Sequence, residues 1–287
     1  MLIYYHVAQE RYDVGPSQPT TQRWLEITTV IGCRVACTYC PQKALTSSYR
    51  HRSKTVTLEL DDFRRFLHSV PSDVKIAFSG YSEPFLNSSC VDLMRHAVDK
   101  GHTLIASSTL EGMSLEDAEH LLDIPFERFL VHLANDKEQE RVTLDDRYFK
   151  ILDIFQGHPT FRFHADGYKV HRDIEKHLDN YVLRKVHTRA GNVPDEKVTD
   201  AEDRIDALSI DGPISCDRIT GNVLLPNGDV ALCCMDFGLR HIIGNLGLQP
   251  YDSLFSSDEY LRVVRAMASD GQDILCRSCH KAVPVAS

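Results

Sequence analysis

Residues 24–40 read WLEITTVIGCRVACTYC. The first seven, Trp24 to Val30, are rich in β-branched side chains and run out at Gly32, which predicts a strand. The loop after it carries Cys33, Cys37 and Cys40, a C-x3-C-x2-C spacing. Three thiolates placed so closely can wrap one face of a soft-metal centre. A structural zinc site is closed by four ligands, whereas a site with three protein ligands keeps a position free for chemistry. A [4Fe–4S] cluster held by three cysteines likewise leaves one iron open. The alternatives are a zinc site completed by a distant histidine, or three reduced, buried thiols. Loops at the C-terminal ends of strands carry the active sites of parallel α/β folds, and this placement favours the open cluster.

Strand-like and helix-like segments alternate downstream. Leu58 to Val70 puts Leu60, Phe63, Phe66, Leu67 and Val70 on one helical face. Val74 to Ser79 predicts the second strand, followed by a helix over about Cys90 to Lys100, and Thr103 to Ala106 predicts the third. Ser114 caps a helix running to Leu122, with Asp117 at its third position. Phe129 to Leu133, Thr160 to His164 and Leu183 to Thr188 supply strands four to six, separated by helices over Tyr148 to Phe155 and Arg172 to Leu178. Six such alternations imply parallel strands in an open curved sheet or partial barrel. A closed eightfold barrel does not fit before the pattern changes near Asn192.

Beyond that point Pro194 to Asp211 is charged and weakly patterned, a linker with a short helix. Asn222 to Cys233 (NVLLPNGDVALC) reads as a hairpin around Asn227-Gly228. Asp252 to Met267 is an amphipathic helix, with Leu254, Phe255, Tyr260, Leu261 and Val264 available to dock on the main body. This last block of about 75 residues is too small for a robust core of its own, and a metal-stapled unit is the simplest reading.

The 287 residues are 43% hydrophobic and 25% charged, enough for one large domain, or a large and a small one, with a sizeable core. A net charge of −9 argues against generic binding to nucleic-acid backbones or anionic membranes. No apolar run approaches the ~18 residues of a membrane span. Glu10 and Asp13 fall early in an N-terminus that lacks a signal-peptide layout, so the cytoplasm is the expected compartment. In a reducing compartment nine cysteines point to metal or redox chemistry rather than disulfides.

The Cys33/Cys37/Cys40 spacing, with aromatic Tyr39 before the last cysteine, resembles the signature of the radical SAM superfamily. That resemblance implies a [4Fe–4S] cluster whose open iron chelates S-adenosylmethionine (SAM), and reductive cleavage of SAM to a 5′-deoxyadenosyl radical that takes hydrogen from a substrate. Tyr39 would lie against the adenine. After the second strand, Gly80-Tyr81-Ser82-Glu83-Pro84 resembles the family's GGEP element, with Ser82 in place of the second glycine. It implies that Gly80, Ser82 and Glu83 receive the SAM ammonium, through charge-assisted hydrogen bonds. Ser107, Ser108 and Thr109 end the third strand, where similar proteins contact SAM with hydroxyls. Arg189, before Ala190-Gly191, is a candidate partner for the SAM carboxylate or the substrate. His132 and His164 sit near strand ends and either face the cavity or are structural.

Cys216, Cys234, Cys276 and Cys279 have the count and clustering of a tetrathiolate centre, zinc or [4Fe–4S]. With the first motif, they resemble the C-terminal SPASM or "twitch" subdomain that binds an auxiliary [4Fe–4S] cluster. Cys233 is then spare, either core filler or a hydrogen-atom donor as in radical SAM epimerases, and Cys90 reads as buried and inert.

The expectation is therefore an α/β protein: a partial (β/α)6 barrel with a small C-terminal β-hairpin plus helix cluster-binding subdomain. Its divisions are residues 1–22 (extension), 23–193 (barrel), 194–212 (linker) and 213–287 (auxiliary subdomain). The resemblance implies a small sugar-like or aminocyclitol substrate, dehydrogenated or epimerised, and a reductant such as flavodoxin or ferredoxin. Modification of a peptide or protein side chain is the alternative activity, and a zinc-stabilised binding module the non-enzymatic one.

Overall fold

The computed structural model describes residues 23–193, 210–269 and 273–285, together with the backbone of Arg204–Ile205. Strands β1 (Trp24–Ile27), β2 (Lys75–Phe78), β3 (Leu104–Ser108), β4 (Phe126–His132), β5 (Phe161–Asp166) and β6 (Val182–Arg184) pair in chain order, every pair parallel. Between them lie α1 (Gln42–Arg50), α2 (Leu60–Leu67), α3 (Cys90–Asp99), α4 (Leu115–Leu121), α5 (Asp146–Phe155) and α6 (Arg172–Glu175). The barrel half of the expectation is met, and α1, absent from the sequence reading, is added to it.

The two faces of this sheet differ. In β4, Phe126, Phe129 and Val131 are buried while Arg128, Leu130 and His132 alternate with them half-buried. The buried face packs on the helices: Phe129 lies 5.0–6.4 Å, ring to ring, from Phe161, Phe126, Phe155 and Phe85. Each such ring buried contributes about 1.5–3 kcal/mol. The other face carries Glu26, Arg128, Ser107 and His132 among Ala77, Ile105 and Leu130, and it is the side on which function is to be sought.

Local signals held where their partners were local. Ser114 and Asp117 form the expected capping box on α4. The α6 helix stops three residues short of the expected end, and i→i+3 bonds carry its turn on to Leu178. The sixth strand splits at Lys185: β6 is the exposed sheet edge, while β7 (Val186–His187) leaves to pair parallel with β8 (Arg204–Ile205). The short helix expected within 194–211 falls largely outside the described residues, and the two described residues there, Arg204–Ile205, are strand. Residues 1–22 also lie outside them.

The C-terminal region adds β9 (Ile214–Ser215), β10 (Gly221–Leu224), β11 (Asp229–Ala231), β12 (Ile242–Asn245), α7 (Asp258–Met267) and β13 (Val283–Pro284). The β10–β11 hairpin turns through Leu225–Gly228, closed by Gly228 N donating to Leu225 O at 2.9 Å. Gly228 takes the left-handed conformation (φ 88°) that the sequence assigned to an Asn-Gly turn, while Asn227 does not. The hairpin does not stand apart: β10 pairs parallel with β1, extending the sheet to nine strands, β12-β11-β10-β1-β2-β3-β4-β5-β6.

The helix expected over 252–267 is broken. A 3-10 segment, Tyr251–Ser256, ends at Ser257, whose hydroxyl caps α7. The break shifts the apolar phase, so Val263, Ala266 and Met267 are buried while Leu261 and Val264, two of the expected docking residues, are exposed.

The carboxylate of Glu259 anchors α7, accepting from Arg262 and, at 2.7 Å, from buried His241 just before β12. Arg262 and then His241 lower its pKa to about 2. A depressed carboxylate stabilises the fold above its ordinary pKa and loses that contribution as pH falls through the folded value. Urea unfolding should therefore find wild type more stable than Glu259→Gln by about 1 kcal/mol or less above pH 5. The gap should close as pH falls from about 4.5 to about 2.

Candidate metal centres and substrate cavity

The first cysteine loop is pinned at both sides. Thr38 N donates to Gln139 O at 3.0 Å and Arg141 N to Val35 O at 2.8 Å, tying it to the segment after β4. Gln42 reaches the carbonyl of Tyr81 and accepts from Cys33 N, tying it to the segment after β2. The three thiols sense one another. Burial, then Cys40, Glu140 and Cys33, holds Cys37 well above the usual thiol range. Burial raises Cys33 and Cys40 too, with Arg189 opposing at Cys40. Binding metal here means displacing protons from thiols that share one space.

The segment after β2 is built against β1. A Cβ on Gly80 would stand 2.5 Å from Thr28 Oγ1 and 2.7 Å from Ile27 O, so only glycine fits. Glu83 is buried, and its carboxylate accepts four hydrogen bonds: from Phe85 N (3.2 Å), Ser108 Oγ (2.8 Å), Thr109 N (2.6 Å) and Thr109 Oγ1 (2.7 Å). Burial raises its pKa against the pull of those donors. Glu83, Ser108 and Thr109 are thus engaged with one another. Ser82 Oγ is buried without a partner, and Ser107 alternates onto the half-buried face of β3, so these two hydroxyls remain open to a ligand.

At the ends of β4 and β5, His132 and His164 stack with ring centres 4.9 Å apart. With Asp166 they bring three ligand atoms within 4.8 Å of one another. Tyr39 OH donates to buried Glu140 and meets His132 Nε2 at 3.0 Å. Burial lowers the His132 imidazole, but Asp166 and Glu140 outweigh it and raise it; burial, His132 and Arg184 drive His164 well down. Glu140 and Asp166 were missed in the sequence because nothing local marks them. Glu140 gains Tyr39 from the cysteine loop, and Asp166 gains His132 from the neighbouring strand.

The second cysteine set gathers behind the sheet's start. Burial, then Cys279, raises Cys216 to about 11; burial, then Cys216 and Cys279, raises Cys276 to about 12. The adjacent thiols share part of their surroundings. Cys233 is buried in an apolar cluster with Ala190, Met235, Leu275 and Cys279, within electrostatic reach of Cys276. Cys234 packs against the same cluster and against that of Tyr81 and Phe237, and the charges of Glu26, Arg218 and Arg189 act on it.

Arg189 lies between the two sets, its charge acting on Cys40, Cys234 and Glu26. It opens a turn of three consecutive left-handed residues, Arg189, Ala190 and Gly191 (φ 51°, 55° and 78°). Non-glycine residues there cost about 1–3 kcal/mol each. Asn192 Nδ2 holds the turn by donating to Arg189 O (2.8 Å) and Met235 O (2.9 Å).

Because β11 runs antiparallel to β10, Cys233 and Cys234 leave the sheet beside the start of β1, whereas Cys33, Cys37 and Cys40 follow its end. Four strand residues at ~3.3 Å rise put roughly 13 Å between these exits. Among the described residues, neither cysteine set brings three sulfurs within 4.8 Å of one another.

Residues 216–280 match the SPASM family, an iron–sulfur cluster-binding domain. No curated protein sequence matches the chain. Solved structures do. BtrN in complex with AdoMet and 2-DOIA has 16% identity and a TM-score of 0.62, covering 90% of this chain and 93% of that one. SuiB of Streptococcus suis bound to precursor peptide SuiA has 16% identity and a TM-score of 0.60, covering 90% and 69%. The anSMEcpe structure with bound AdoMet has 14% identity and a TM-score of 0.56, covering 90% and 83%. Cys216, Cys233, Cys234, Cys276 and Cys279 all fall within the residues that match this iron–sulfur cluster-binding domain. The chain shares the fold of these solved structures, and its residues 216–280 match the SPASM family of iron–sulfur cluster-binding domains.

Proposed function

We propose that the protein is a radical SAM enzyme acting on a small sugar-like or aminocyclitol substrate. When bound and reduced, the three-cysteine cluster supplies cleavage of SAM to a 5′-deoxyadenosyl radical that takes a hydrogen atom from substrate carbon. Cys33, Cys37 and Cys40 hold that cluster. Ser82 and Ser107 offer hydroxyls to SAM, Glu83 braces the Ser82 segment against β3, and Tyr39 packs beside the adenine. Arg189 is the candidate carboxylate partner. Cys216, Cys276 and Cys279 hold the auxiliary cluster with one thiol of the Cys233–Cys234 pair.

The observation that carries the substrate class is the sheet face opposite the helices. Glu26, Ser107, His132, His164 and Asp166 lie on it among Ala77, Ile105 and Leu130, and these polar groups suit the hydroxyl and amino groups of a small substrate. The likeness to BtrN, solved in complex with AdoMet and 2-DOIA, covers 93% of that chain and supports a small substrate. Residues 23–193 then form the barrel and 213–287 the auxiliary unit, with a flavodoxin- or ferredoxin-type donor in the cytoplasm.

Anaerobically reconstituted protein, given SAM and dithionite, should release more 5′-deoxyadenosine with a panel of aminocyclitols than without. Stimulation by peptides alone would move the assignment to peptide modification.

A further inference from the structure

Between Glu26 and Glu59 the chain has no acidic residue and five basic ones, Arg34, Lys43, Arg50, Arg52 and Lys54, in a protein whose net charge is −9. All five are exposed, as is His51 among them. The fold wraps this stretch around the first cysteine loop. At its start, Gln42 opens α1 and donates from Nε2 to Cys40 Sγ at 3.5 Å. At its end the chain returns to the residues just before Cys33: Val56 O accepts from Ile31 N at 2.7 Å, and Thr57 bridges Val30. Lys43 and Arg50, seven residues apart, share the face of α1 opposite buried Leu45 and Tyr49. Arg34 is engaged with Glu111 at 3.0 Å and Arg52 lies 3.7 Å from Asp229, but Lys43, Arg50 and Lys54 have no ion pair among the described residues. Val56, 50% exposed, adds an apolar spot two residues after Lys54.

Resting on the radical reading above, we propose that the exposed face of α1 and the segment after it, with Lys43, Arg50 and Lys54 at its centre, is the docking surface for an acidic one-electron carrier protein. Unpaired cations gathered on an otherwise acidic molecule attract an anionic partner to one place and fix its orientation, because the rest of the surface repels it. The place is the useful one. Lys43 follows the residue that touches Cys40, and Arg50 lies about 12 Å further along the helix axis, so a carrier seated here stands over the three-cysteine loop. A few charges around one apolar residue make a small contact, of the kind that weak, quickly exchanging electron-transfer partners use. A nucleic-acid backbone fits less well, since the acidic surface beyond this short stretch opposes it. The transfer moves a single electron: the reduced carrier loses it, the cluster on Cys33, Cys37 and Cys40 gains it, and no bond or proton changes hands.

Charge reversal in the reconstituted protein, with a recombinant reduced flavodoxin as probe, tests the surface. In the triple variant Lys43→Glu, Arg50→Glu, Lys54→Glu, flavodoxin binding by calorimetry at low salt and flavodoxin-driven 5′-deoxyadenosine release should each fall about tenfold or more. Iron content and dithionite-driven release should match wild type. Raising the ionic strength should weaken flavodoxin binding to wild type. Reversing Lys150 in α5 with Arg172 and Lys176 at α6, all exposed, should change neither measurement. Unaltered flavodoxin binding in the first variant, or an equal loss in the second, overturns the inference. So does a first variant that loses iron or slows equally with dithionite, because the defect then lies in the cluster. A single-stranded RNA that binds where flavodoxin does not would overturn it in favour of a nucleic-acid partner. Wild type that makes no deoxyadenosine even with dithionite would sink the radical reading, a failure the binding measurement does not share.

Discussion

Replacing Cys33, Cys37 and Cys40 together with alanine is expected to halve bound iron, from about eight to about four per chain, and to abolish 5′-deoxyadenosine formation. The reasoning is spatial. The two cysteine sets leave the sheet at opposite ends of β1, so emptying one does not remove a ligand from the other. Iron and sulfide analysis after anaerobic reconstitution reads the effect directly. About four irons in wild type and almost none in the variant would mean that the C-terminal set holds no iron. No iron in either protein would refute the radical reading.

Glu83→Ala should be the most destabilising single change at the SAM side. Four donors converge on this buried carboxylate, two of them backbone N–H groups with no other acceptor among the described residues. Removing it strands them away from water at a cost of about 3 kcal/mol, lowering Tm by roughly 6–10 °C for a chain of this size. Glu83→Gln, which keeps the shape and one acceptor, should lose less. Thermal unfolding of both variants separates a brace from a direct SAM ligand. If Glu83 served chiefly as the ligand, alanine would weaken SAM binding and leave Tm nearly unchanged.

What was legible beforehand was local. The capping box at Ser114 and Asp117 and the hairpin around Gly228 are each written within a dozen residues, and both formed. The α1 helix went unread because QKALTSSYR buries only Leu45 and Tyr49, too sparse an apolar stripe to register. The phase error at Leu261 and Val264 came from treating 252–267 as one helix, when the Ser257 cap restarts it. Glu26, Glu140 and Asp166 acquire meaning only from partners remote in the sequence. The surroundings of Cys233 and Cys234 are of the same kind: alternation says that the two face apart, but the fold packs both against one cluster and Cys234 against a second.

The parallel pairing of β1 with β10 also governs how the chain comes together. One edge of β1 is covered by β2 within the first third of the sequence, but the other waits for residues roughly 200 positions later. Until then the nascent protein presents an unpaired strand edge beside a cysteine-rich loop, the kind of edge that recruits other chains. At ordinary synthesis rates the exposure lasts roughly 10–40 s, so yield in the cell should depend on chaperone supply during translation more than on the stability of the finished fold.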